Sequence, residues 1–301
     1  MKPEGRTQKA EGSHLPRSVI ISVLLLLGPC LIAAEAVAQL PGGIRDRLGR
    51  VGDIAKKGKD TADSTQITTE QEVAIGREVA AKMVAYFKVY ENPKLAAYVR
   101  RVGEAVAMQS ERQDVACHFE LLDTPVVNAF AAPGGFVFVT RGLLDNIGSE
   151  AELAGVLAHE VGHVAARHVV RALQRGKLIQ TGVQEARAYM PGSQYLEGVA
   201  GAVLERMIDR GLDPGDEYDA DQRGVLYAYN AGYRPDGLGM FLETFEKIRA
   251  QSEAKASWLS RTHPPAPERI ERMAELIVKR TMDIEGRALL QERFKAATGG
   301  K

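Results

Sequence analysis

Apolar positions along the chain change period twice. Val73, Gly76, Ala80, Met83, Val84 and Phe87 recur at helical spacing, and Thr69 with Glu72 supplies a capping box ahead of them. A second helix is announced by Asn92 as N-cap and Pro93 at the first helical position, with Leu95, Tyr98, Val99, Val102 and Val106 on one face. Between Val115 and Thr140 the period shortens. Val115 to Leu122, Val126 to Phe130 and Phe136 to Thr140 read as short strands, the last two joined through Ala131-Ala132-Pro133-Gly134-Gly135. Beyond them the pattern is helical again. Ser149 and Glu152 cap a helix expected to run to about Arg171, and further helices are expected over much of 172 to 209, then 214 to 230, 237 to 251 and 267 to 280. Pro191-Gly192 interrupts the first of these. The fold class is therefore α+β, mainly helical, with a small β-sheet packed beside the helix that follows Ser149.

The N-terminus has a different character. A basic leader containing Lys9 and Arg17 precedes the apolar run Val19 to Ala34, followed by Ala36-Val37-Ala38. This three-part pattern is that of a secretory signal, residues 1 to 38, with export to the periplasm as the expectation. An uncleaved membrane anchor is the alternative, although the run is short for a span. Lipid attachment at Cys30 is a further one, weakened by Pro29 directly before it. Residues 39 to 68 read as a flexible linker, 69 to 280 as the folded domain and 281 to 301 as a C-terminal helical tail.

Composition narrows the function classes. The 301 residues are 45% hydrophobic and 26% charged, enough for a globular core, and Lys plus Arg balances Asp plus Glu at 39 each. No overall positive field exists to attract nucleic acid. Removing the leader leaves Cys117 as the one cysteine, so an internal disulfide framework is excluded, and a buried inert thiol is expected there.

The chemistry concentrates in Leu157-Ala158-His159-Glu160-Val161-Gly162-His163-Val164. Residues four apart on a helix are offset by only about 40° and one turn, so His159 and His163 address one point and can hold one divalent ion. Glu160 lies about 100° round from His159, placed to contact a water on that ion as general base. Metal-assisted hydrolysis needs this combination. The flanking residues are too apolar for a solvated helix face. A catalytic zinc takes a third protein ligand. The metzincin position, ten residues beyond His159, is Val169, which excludes that class. His168, nine residues beyond, falls on the opposite side of a continued helix and reads as a structural or surface residue. Glu217, in the helix begun by Asp213-Pro214, is the better candidate. Asp221 shares its face and can accept a hydrogen bond from a ligating imidazole. Acidic residues also gather at helix N-termini for dipole reasons, so spacing alone leaves Glu217 open.

Four motifs in order now carry a resemblance: Asn128-Ala129-Phe130-Ala131 with Pro133-Gly134-Gly135, then His159-Glu160-Val161-Gly162-His163, then Glu217-Tyr218-Asp219-Ala220-Asp221, then Thr262-His263-Pro264. Over roughly residues 69 to 280 the sequence resembles the zincin-like gluzincin peptidases that include the CAAX prenyl protease, HtpX and the periplasmic BepA-like enzymes. The resemblance implies one zinc ion per chain held by His159, His163 and Glu217, with Asp221 behind a ligand. It also implies a catalytic role near the zinc for His263, which either steadies an oxyanion or closes the site by ligating the metal. Asn128, Ala129 and Phe130 would belong to an edge strand that pairs with an extended substrate. Arg269 is open between a charge partner and a site cation. No apolar stretch beyond the leader is long enough to span a membrane, so a prenylated substrate is not expected. A stand-alone exported endopeptidase remains, with unfolded or misassembled envelope proteins as substrates in quality control and outer-membrane assembly factors as partners. An adaptor that binds such factors with the zinc site closed, and an exopeptidase, are the competing readings.

Overall fold

The order of the elements follows the period changes in the sequence. A computed structural model describes residues 66–176, 186–251, 263 and 265–299. The expected export segment with Cys30, nearly all of the expected linker, Thr262 and Pro264 lie outside the described residues. Helix α1 spans Thr69–Phe87 and α2 spans Pro93–Ala107. The capping box of α1 sits one residue earlier than expected: Thr68 Oγ1 accepts from Gln71 N, and Gln71 Oε1 accepts from Thr68 N. Glu72 is not free for that task. It is 1% exposed and accepts from Arg112 at 2.8 Å and from Gly134 N at 3.1 Å, tying α1 to the sheet. Asn92 and Pro93 start α2 as read from the sequence, with Asn92 Oδ1 accepting from Leu95 N.

Strands β1 (His118–Leu122), β2 (Ala129–Ala132) and β3 (Phe136–Thr140) form a mixed sheet in the order β1-β3-β2. β1 runs parallel to β3, with His118 opposite Phe136, and β2 runs antiparallel to it, with Ala129 opposite Val139. β1 and β2 both start three residues later than the apolar runs suggested. Around Val126 the ladder is replaced by a side chain, because the Thr140 hydroxyl donates to Val126 O at 2.6 Å and accepts from Asn128 N at 3.1 Å. The Pro133–Gly135 turn between β2 and β3 holds Gly134 and Gly135 at φ 71° and 90°. A Cβ on Gly134 would meet Val73 Cα at 2.7 Å, so both the conformation and the space demand glycine. Along β2 and β3 alternate residues enter two cores: Ala129, Ala131, Val137 and Val139 face one, Phe130, Ala132 and Phe138 the other.

After a short helix α3 (Arg141–Leu144), helix α4 (Glu150–Ala165) crosses the domain, buried from Glu150 to Val164. Its Ser149 cap accepts from Glu152 N, while Glu152 reaches back to Gly148 N. The helix stops before Arg171, contrary to expectation. Arg167 adopts the left-handed conformation (φ 55°, ψ 35°), and a new helix α5 runs His168–Arg175. Then come α6 (Gln194–Glu205), passing into a π-turn at Arg206–Arg210, α7 (Pro214–Asn230), α8 (Gly237–Gln251), α9 (Ala266–Lys279) and α10 (Gln291–Thr298). α7 lies across α4 at a close crossing, where a Cβ on Gly224 would stand 2.9 Å from His159 N. Among the described residues, no helix is long and apolar enough to cross a membrane.

Candidate active site

The helix α4 delivers His159 and His163 one turn apart, and the crossing helix α7 brings Glu217 against them. The two Nε2 atoms are 3.0 Å apart, and each stands 3.6 Å from an oxygen of Glu217. All three residues are at most 3% exposed. They are the one group among the described residues able to hold a metal ion. The donor set fits such an ion: ligand atoms on one tetrahedral zinc stand about 3.3 Å apart, given Zn–N and Zn–O distances of about 2.0–2.1 Å. Moreover, Glu217 Oε1 is buried with no hydrogen-bond partner in the protein, a lone pair that a cation would satisfy.

Electrostatics prepares these groups. Burial pushes the Glu217 carboxyl up, but the His263 and His163 imidazoles outweigh it and hold the carboxyl well below its ordinary range. Burial also drives the His163 imidazole well below its ordinary value, leaving a neutral ring with a free lone pair. His159 goes the other way, to about 9: burial lowers it, and the bonds to Asp221 and Glu217 more than reverse that. A cation binding there displaces that proton. Glu160, 3% exposed, is raised, burial being the largest cause.

Behind the imidazoles, His159 Nδ1 lies 2.9 Å from Asp221 Oδ1. Arg269 donates through Nε and a terminal nitrogen to the two Asp221 oxygens at 2.8 and 2.7 Å. Arg269, open in the sequence, is thus a buried charge partner at 2% exposure, still 3.9 Å from Glu217 Oε2. His163 Nδ1 meets His168 Nδ1 at 2.9 Å. Of the two sequence readings of His168, structural or surface, this excludes the surface one. It is wholly buried, because the break at Arg167 swings it back toward the site instead of round a continued helix. Periodicity carried no sign of this, since the break falls on a residue without glycine's freedom.

A cleft opens over these groups. It is lined by Glu160, His163, Glu217 and His263, by Ala129, Phe130 and Ala131 of β2, and by Val169, Arg206, Met207, Gly211 and Leu212. His263 Nδ1 is 2.6 Å from Glu217 Oε2. β2 is an edge strand by the sheet order. Asn128, expected on the same strand, lies just before it, fully buried, with its Oδ1 accepting from Ala129 N.

Residues 93–277 match the model of peptidase family M48. The chain belongs to that family. Its fold is the mainly helical α+β fold with a small sheet expected of these peptidases. The M48 chain is 28% identical over 268 residues to the beta-barrel assembly-enhancing protease of Yersinia pestis, covering 84% of this chain and 51% of that protein. It is 26% identical over 251 residues to the mitochondrial metalloendopeptidase OMA1 of Arabidopsis thaliana, covering 81% and 50%. With metalloprotease LoiP of Escherichia coli (strain K12) the identity is 29% over 151 residues, covering 50% and 58%. The chain spans about half the length of the curated relatives it matches.

Proposed function

We propose that this M48 chain is a zinc-dependent endopeptidase of the cell envelope, exported to the periplasm, that hydrolyses peptide bonds of misfolded or stalled envelope proteins. The observation that carries the reading is the convergence of His159, His163 and Glu217 beneath a cleft that also holds Glu160 and the edge strand β2. Bound at those three residues, zinc supplies Lewis-acid polarisation of the scissile carbonyl and an acidified water. Glu160 takes the proton from the attacking water and returns it to the leaving nitrogen, a transfer that suits a carboxyl raised by burial. Asp221, held by Arg269, orients His159. An extended substrate adds its backbone to the edge strand β2 at Ala129 and Phe130, with recognition through main-chain hydrogen bonds that tolerates many side chains. Such tolerance suits quality control better than sharp sequence preference. The likeness to a beta-barrel assembly-enhancing protease supports envelope proteins and outer-membrane assembly factors as the substrates and partners.

One observation favours a latched form of the same site. His263 already lines the cleft, bonded to Glu217, where it either steadies the oxyanion or blocks the open position. Casein hydrolysis by the parent and by His263→Ala separates these roles. Loss of cleavage of about tenfold or more in the variant makes His263 part of the chemistry. A gain makes it a latch. Inactivity of both, with zinc bound, contradicts the peptidase reading and favours an adaptor.

A further inference from the structure

The two imidazoles of the site are supported unequally. His159 turns its Nδ1 directly to a carboxylate, Asp221. His163 turns its Nδ1 to another imidazole, His168, at 2.9 Å, and His168 passes the contact on through Nε2 to Asp219 Oδ2 at 3.1 Å. We propose that His168, anchored by Asp219, is a positioning residue that fixes the ring orientation and tautomer of His163. This rests on the reading of His159, His163 and Glu217 as a metal centre.

Proton bookkeeping allows one arrangement. Two ring nitrogens at 2.9 Å need one N–H and one bare lone pair between them. His163 must keep Nε2 bare to bind a cation, so its proton sits on Nδ1 and is donated to His168. His168 Nδ1 is then bare, its proton sits on Nε2, and Asp219 accepts it. Any other placement sets two lone pairs or two protons face to face inside a buried site. The anchor is itself held, because Arg223 Nε donates to the same Asp219 oxygen at 2.9 Å. Helix geometry explains why an intermediary is needed. Asp219 is two residues beyond Glu217 on α7 and therefore about 200° round the helix from it. It points away from the metal ligands, and the wholly buried His168 bridges the gap. Helix α7 thereby contributes a ligand at Glu217, the support of His159 at Asp221 and the anchor for the support of His163 at Asp219.

The test is zinc affinity of the full chain, read by competition with a chromogenic chelator, for the parent, His168→Leu and His168→Asn. Loss of an outer hydrogen bond to a ligating histidine costs about 10- to 100-fold in affinity, and that is the expected effect of His168→Leu. His168→Asn offers a side-chain oxygen near the place of the accepting nitrogen and recovers affinity to within about threefold of the parent by the same reasoning. A space-filling role predicts the reverse order, since leucine suits a buried site better than asparagine. Equal zinc dissociation constants for parent and His168→Leu, or Leu binding better than Asn, overturn the proposal while leaving the metal centre intact. A parent that binds no zinc overturns the metal centre and the proposal together. Should His168→Leu not fold, Asp219→Ala, at a side chain 39% exposed, carries the test. A zinc affinity weaker by at least about threefold is then expected, the low end of an outer-support effect, and an unchanged one overturns the proposal.

Discussion

Arg269 shows what a single residue contributes when its charge has nowhere else to go. Its guanidinium and the Asp221 carboxylate are both nearly inaccessible, and each would be costly to bury alone. Burial pushes the Asp221 carboxyl up, but Arg269 and His159 outweigh it and hold it at about 2. Because that lies below the unfolded value of about 3.9, the group contributes stability above about pH 4, and the contribution is lost as pH falls toward 2. Replacing the cation leaves a buried carboxylate unpaired. Arg269→Met should therefore lose about 3–5 kcal/mol in urea unfolding at pH 7, with the gap to the parent narrowing as the pH falls toward 2. Equal midpoints at pH 7 would deny the pair this role. At this scale the sequence displayed the donor types of the site and the place of Asp221 behind an imidazole, but not the contacts of Arg269 and His168. His159, Glu160 and His163 were legible because helical geometry fixes residues four apart. His168 was not, because one left-handed residue at Arg167 redirects it. Cys117 was read as a buried, inert thiol; it is only half-buried, yet desolvation still pushes its thiol up to about 11, far from a reactive thiolate at neutral pH.

The crossing of α4 and α7 brings ligands from distant parts of the chain together. It is close because glycines stand in the contact. A Cβ on Gly224 would lie 2.9 Å from His159 N and 3.1 Å from its Cα, backbone atoms that no rotamer change can move aside. Gly224→Ala should destabilise by about 1–3 kcal/mol and weaken metal binding, since the wedge acts at His159 itself. Gly198, in α6, serves as the control. Nothing lies within 4 Å of its added Cβ, so Gly198→Ala should raise stability by about 0.5–1 kcal/mol. Thermal melts and zinc titration of the two variants check the contrast, and similar behaviour would mean the crossing is not constrained. Element starts were legible where cap chemistry is local: Ser149, Asn92-Pro93 and Asp213-Pro214 each open a helix as read. They were missed where a long-range partner claims the residue. Glu72 serves Arg112 and Gly134 instead of a cap, and Thr140 replaces part of a strand ladder. The crossing was not legible, since nothing local distinguishes Gly224 from Gly198.

Across the whole molecule, two cores flank the small sheet, and the buried helix α4 carries the site between β2 and α7. The family match begins at residue 93, yet α1 precedes it and is bound into the same body through Glu72 and the Pro133–Gly135 turn. The site thus draws on elements far apart in the sequence, from Ala129 on β2 to Arg269 on α9. What this architecture is proposed to achieve is water activation by Glu160 over a zinc held by three buried ligands. The most direct test is zinc content and casein hydrolysis measured together on the purified parent and on Glu160→Gln. The account predicts one zinc per chain in both proteins and cleavage by the parent alone. Absence of bound metal in the parent, or undiminished cleavage by Glu160→Gln, would contradict it.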